Sequence, residues 1–256
     1  MRSALLLSVL LQVIPPQAAC GDDPRLDQAD SLFHRGDAEG ALERAEAFLD
    51  DCPGDYRGLL RVASLSVAAG MNREETGEGG RALEHYGSGV RRAEEALEVR
   101  PGSLEARYWR LAALGRTALF LGPRDAVPLS DRIREGALEI LERDPDHAGA
   151  HNVLGRLHHE MMALSGISRF FGRTLFRGQA LGEASWEKAE GHLRHAVEMD
   201  PEVAMYHLDL GRFLARRGEP DEARRALERA IEVAGSHPPD RIFVREARRL
   251  LREIED

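Results

Sequence analysis

Residues 206–230 read YHLDLGRFLARRGEPDEARRALERA, and the spacing inside this stretch decides the fold. Leu210-Gly211, Leu214, Ala223, Leu227 and Ala230 fall where a helix-turn-helix unit of about 34 residues needs its small and apolar packing residues. The preceding unit repeats them as Leu154-Gly155, His158, Ala189, Leu193, Ala196 and a closing Pro201. Gly155 and Ala189 stand 34 positions apart where Gly211 and Ala223 stand 12 apart, so 22 residues are inserted in the earlier unit.

Working outward, the pattern recurs with less regular loops. Ala29, Leu32, Phe33, Gly36-Asp37, Ala41, Ala45, Phe48 and Pro53 make a first repeat. Leu59 to Val67, a glycine-rich loop over Gly70–Gly80 and a long helix ending at Val99 make a second. Leu104 to Gly115, a Gly122-Pro123 loop with Pro128, and Ile133, Ala137, Ile140 and Pro145 make a third. Ile242, Phe243, Ala247, Leu250, Leu251 and Ile254 keep helical spacing in a final helix, about 240–255, expected to cap the last repeat. The expected fold is therefore all-α: a tetratricopeptide-type solenoid of about five helical hairpins over 29–256, with an amphipathic insertion at about 163–184. Aromatic residues make up only 5% of the chain, which leaves little for a sheet-rich core.

The formal charge of −9 and the pI near 5.6 argue against a nucleic-acid surface, which needs a clustered basic excess. Residues 1–20 read as a targeting segment: Met1-Arg2, a mostly apolar run from Ala4 to Ile14, then Ala18-Ala19-Cys20. That ending resembles a bacterial lipoprotein box, which makes Cys20 the expected lipidation site and the chain an exported, periplasmic or membrane-anchored protein; ordinary secretion and an uncleaved segment are the alternatives. Cys20 and Cys52 are the sole cysteines, so one bridge is the most that can form, and it competes with acylation for Cys20. A linker is expected over 21–28.

The run from His151-Asn152-Val153-Leu154-Gly155-Arg156-Leu157 through Leu164-Ser165-Gly166-Ile167 and Leu175-Phe176 to Trp186-Glu187-Lys188-Ala189 resembles the regulator of microtubule dynamics family. The resemblance spans roughly 30 to 255, with its specific part at about 147 to 201. It implies a tetratricopeptide domain. In eukaryotic members it also implies links to microtubules, mitochondria and organelle contacts, and in some members a domain that holds lipid.

Projecting the repeat register places Arg116, Asn152, Arg156, His159, Glu160, Arg212 and Arg216 on the concave surface. Guanidinium groups hold carboxylate or phosphate by two-point contacts, so these residues form the candidate ligand-binding groove; a structural ion-pair network with nearby Glu or Asp is the alternative. In the insertion, Leu164, Ile167, Phe170, Phe171, Leu175 and Phe176 share apolar faces while Arg169, Arg173 and Arg177 recur on another. Such a segment can pack as extra core, cover the groove as a lid, or lie on an anionic membrane.

Histidines are frequent at 147, 151, 158, 159, 192, 195 and 207, but Ala163 stands where a zinc-protease signature beginning at His159-Glu160 needs its second histidine. Packing with a satisfied ring nitrogen is expected, and no metal or cofactor. No nucleophile elbow, activated cysteine or nucleotide loop is present. The expected function is a non-enzymatic adaptor of the cell envelope that binds a protein, peptide or other anionic ligand in its groove. The alternative is a phospholipid-binding or lipid-transfer protein that uses the groove and the insertion.

Overall fold

The computed structural model describes residues 20, 21, 23–122, 125–164, 182–235 and 237–255. Among them lie eleven helices with defined bounds and no strand. They are α1 (Pro24–His34), α2 (Ala38–Asp51), α3 (Tyr56–Glu75), α4 (Gly79–Val99), α5 (Leu104–Leu121) and α6 (Val127–Leu141). α7 (Ala148–Ala163), α8 (Trp186–Met199), α9 (Ala204–Arg217), α10 (Pro220–Glu232) and α11 (Pro238–Glu255) complete the order. No described helix is long and apolar enough to cross a membrane.

Local chemistry sets where the helices begin. Asp37 accepts from the Gly40 amide, Asp55 from those of Arg57 and Gly58, Ser103 from that of Ala106 and Ser185 from that of Lys188, each satisfying first-turn donors left open by the helix. Asp23 does the same for Arg25, so α1 starts at Pro24, inside the stretch expected to be linker. Gly70 is likewise helical, deep in α3: a Cβ there would lie 2.4 Å from the Tyr86 ring, so this glycine seats an aromatic side chain rather than opening a loop. The α3–α4 connection shrinks to residues 76–78.

Each odd-numbered helix from α1 to α9 pairs with the next, and the pairs stack in sequence as a solenoid, with α3, α5, α7 and α9 touching in turn along the inner face. The repeat residues fill the seams. Ala189, Leu193, Ala196, Ala223, Leu227 and Ala230 are fully buried, as are Ala41, Ala45 and Phe48 in the first repeat. Gly155 and Gly211 show why the unit needs glycine there. A Cβ on Gly155 would lie 2.6 Å from Leu193 Cγ and 3.0 Å from its backbone nitrogen; on Gly211 it would lie 2.7 Å from Leu227 Cγ. The same glycine-to-leucine contact thus closes both hairpins, in spite of the insertion in the first.

Helix α11 does more than cap. Its second half buries Ala247 and Leu250 against Leu208, Leu227 and Ala230 of the last repeat. Its first half crosses the inner face, where Ile242 and Phe243 pack with Val67, Met71 and Tyr86. His237, just ahead of it, stacks on Phe33 at 5.4 Å and lies within hydrogen-bond distance, 2.9 Å, of His34. Arg245 pairs with Glu75. The two ends of the array are therefore joined through its own last helix.

Gly155→Ala and Gly211→Ala are each expected to lower stability by about 1–3 kcal/mol in urea unfolding, because the new methyl drives a helix off its partner. Gly191→Ala, with nothing within 4 Å of its Cβ position in mid α8, should raise stability by up to about 1 kcal/mol. Equal effects at all three positions would rule out the close-approach account.

Candidate functional site

The candidate groove residues divide into two groups. Asn152, Arg156 and His159 of α7 meet Arg212 of α9 around a side chain that the sequence did not single out, Asp209. This carboxylate is only 5% exposed. It accepts from Asn152 Nδ2 at 3.0 Å, from Arg212 at 2.6 Å and, by a short hydrogen bond, from Arg156. Arg156 also donates to Glu160 at 2.8 Å, and Arg212 reaches Glu246 of α11 at 3.3 Å. Arg116 stands apart, donating at 2.6 Å to Glu74, whose carboxylate also accepts from the Tyr86 hydroxyl. Arg216 donates to the Ala163 carbonyl at the end of α7.

This arrangement changes the electrostatics expected of the groove. Arg156, Arg212 and Arg249 face Glu160, Asp209 and Glu246, three carboxylates against three guanidinium groups. Burial works to raise the Asp209 pKa, but Arg156 and Arg212 outweigh it and hold the carboxyl below its usual range. Hydrogen bonds from Arg249 take the Glu246 carboxyl down to about 2 against the effect of its burial. Both acids are ionised at neutral pH, and the arginines around them serve the ion-pair network. The locally basic groove becomes a neutralised hub that ties α7, α9 and α11 together.

His159, 3% exposed, sits edge-on to Phe213 at 5.7 Å. Burial lowers its pKa to about 4, so the ring is neutral, and Nδ1 has no hydrogen-bond partner among the described residues. His151 and His207 show how repeat histidines are satisfied: each Nε2 lies 2.8 Å from the carbonyl of a proline six residues earlier, Pro145 and Pro201. His151 Nδ1 further meets His192 Nδ1 at 2.8 Å. Among the described residues no group of three or more His, Cys, Asp or Glu is placed to hold a metal ion.

Of the insertion residues, Leu164 is buried beside Leu157 and Met161. Ile167, Phe170, Phe171, Leu175 and Phe176 lie outside the described residues, and with them the lid expectation.

Cys20 forms a disulfide with Cys52, Cα to Cα 6.1 Å. A sulfur in a disulfide has no valence left for a thioether-linked lipid, so in this structure Cys20 is a cross-link and not the expected acylation site. The bond closes a loop spanning a sequence separation of 32. In the chain-entropy model such a loop adds roughly 3–4 kcal/mol. Arg57 reinforces the closure by donating to the Cys20 and Gly21 carbonyls at 2.8 and 3.0 Å.

The family model described as regulator of microtubule dynamics protein 1-3 matches residues 25–255. The chain belongs to this family. The matched residues run from α1 through α11. No curated protein matches the sequence. Among solved structures, TTC0263, a thermophilic tetratricopeptide protein of Thermus thermophilus, aligns over 89% of this chain and 97% of its own at 17% identity and a TM-score of 0.57. That likeness supports the tetratricopeptide fold. MamA 41-end from Desulfovibrio magneticus RS-1 aligns over 82% of this chain and 92% of its own, at 19% identity and a TM-score of 0.42. YrrB, described as having an unusual peptide-binding site, aligns over 91% and 93% at 16% and 0.40.

The hub left one readable trace: Asp209 is an acid between Leu208 and Leu210, three residues before Arg212 on the same helix. Asp209→Ala strands Arg156 and Arg212 together without their shared counter-charge. It is expected to cost about 3–5 kcal/mol of unfolding free energy. Arg216→Ala, which removes one exposed hydrogen bond, should cost far less. For the disulfide, thiol labelling of denatured, unreduced protein should find no free cysteine, and two after reduction. A single reactive thiol before reduction would show that Cys20 and Cys52 are not joined.

Proposed function

We propose that the chain is a non-enzymatic tetratricopeptide adaptor, exported to the cell envelope, which receives an amphipathic helix of a protein partner on its inner face. The observation that carries this reading is the position of α11. Ile242 and Phe243 enter the apolar inner face while Glu246 meets Arg212 and Arg245 meets Glu75, so one helix satisfies both the apolar and the charged parts of the surface. That combination is the chemistry of helix-in-groove recognition. A partner helix carrying apolar residues at matching spacing, with an acid and a base between them, competes for the same contacts. Export is supported by the Cys20–Cys52 bond, which persists in oxidising compartments. The non-enzymatic reading is supported by the hub, whose acids and arginines are engaged with one another.

The test uses a fluorescein-labelled peptide of residues 238–255, titrated against the full chain and against an Ile242→Ser/Phe243→Ser variant, with helicity checked by circular dichroism. The variant, whose own α11 is held less tightly, should bind the peptide at least tenfold more strongly than the unaltered chain. Absence of binding to a folded variant would end the helix-receiving account. Stoichiometric phospholipid in native mass spectra of the protein would move the phospholipid alternative ahead of it.

A further inference from the structure

With its apolar face turned into the repeats, α11 displays another face outward. Arg241, Arg245, Arg248 and Arg252 follow one another at steps of four, three and four residues, which puts all four on one helical stripe opposite Ala247 and Leu250. The stripe is about 16 Å long at the α-helical rise. All four side chains are exposed. They border an open trough of about 470 Å³ whose other lining is small or apolar: Ile231, Ala234, Gly235 and Val244. Neighbouring Arg249 is neutralised by Glu246 and Glu253, and Arg245 has Glu75. Arg241, Arg248 and Arg252 have no ion pair among the described residues.

Three unneutralised guanidinium groups beside a partly apolar trough, on a chain of net charge −9, form a local anion-attracting surface. We propose that this trough is a second binding surface and that it takes an acidic protein segment, with three or more carboxylates spaced along one face to meet the arginine stripe. Arginine's planar fork suits carboxylates, and the small residues of the trough floor let a backbone approach. A membrane fits less well. An interfacial helix inserts its apolar face into the bilayer, and that face of α11 is already buried. Among the described residues the exposed large apolar side chains, Val99, Leu121, Leu138 and Met199, all lie on other helices. The inference goes beyond the helix-receiving role. It needs α11 docked where helix exchange needs it released, so either can fail without the other.

The experiment is fluorescence anisotropy of a labelled deca-glutamate peptide with the full chain, its Arg248→Glu/Arg252→Glu variant, and an Arg44→Glu/Arg91→Glu control of equal charge change on α2 and α4. The stripe variant should weaken binding at least tenfold and the control less than twofold, with affinity falling as salt is raised. Equal losses in both variants, or no binding to the unaltered chain in low salt, would overturn the proposal. So would binding of vesicles containing 30% phosphatidylglycerol that the stripe variant abolishes while peptide binding survives.

Discussion

One buried carboxylate governs the inner face of this solenoid. A charge as enclosed as Asp209 is tolerable only with its lone pairs occupied, and Asn152, Arg156 and Arg212 occupy them from two helices. Because those donors sit on α7 and α9, the carboxylate fixes how two successive repeats face each other. Because Arg212 extends to Glu246, the same network sets where α11 crosses. Apolar seams hold each hairpin together but are alike from repeat to repeat; the polar hub is specific to one place, and so defines one register for the last helix.

The path of α11 follows from having two faces of opposite character. Ala247 and Leu250 cover the end of the last repeat, as a terminal helix must in a stack whose units each leave an apolar surface open. Continuing the helix backward carries Ile242, Phe243 and His237 to the first two repeats. Gly36 marks the crossing: its φ of +92° suits glycine, and the Arg241 guanidinium rests where a Cβ would stand, 2.7 Å away. A larger residue there would strain the α1–α2 turn and turn the Arg241 side chain aside. An inner face closed in this way differs from an open groove, since any ligand must displace the helix or use what the helix displays outward.

The hairpins were legible because their contacts are local: Leu154-Gly155 meets Leu193, and Leu210-Gly211 meets Leu227, within one unit whose spacing the sequence displays. The charged site was not legible in the same way. Asn152, Arg156 and Arg212 meet around one carboxylate, but Arg116 finds Glu74 and Arg156 finds Asp209 across 42 and 53 positions. Whether an arginine on that face is free or paired depends on these distant partners. Gly70 carried the opposite ambiguity, since a glycine that opens a loop and one that admits the Tyr86 ring look identical in sequence. Cys20 had two chemically exclusive fates, and only the proximity of Cys52 in space distinguishes them.

The insertion shows how the family-specific part and the generic repeat coexist. Ala163 is held by Arg216 at one end, and Glu183 accepts from Arg134 at 2.6 Å at the other. Closing a longer loop costs little, about 0.6 kcal/mol for each doubling, once its ends are fixed by the hairpin itself. The α7–α8 pair accordingly keeps the same glycine-to-leucine approach as the uninterrupted α9–α10 pair. The constraints on this chain therefore divide: the seams fix the solenoid, and Asp209 fixes the closure by α11.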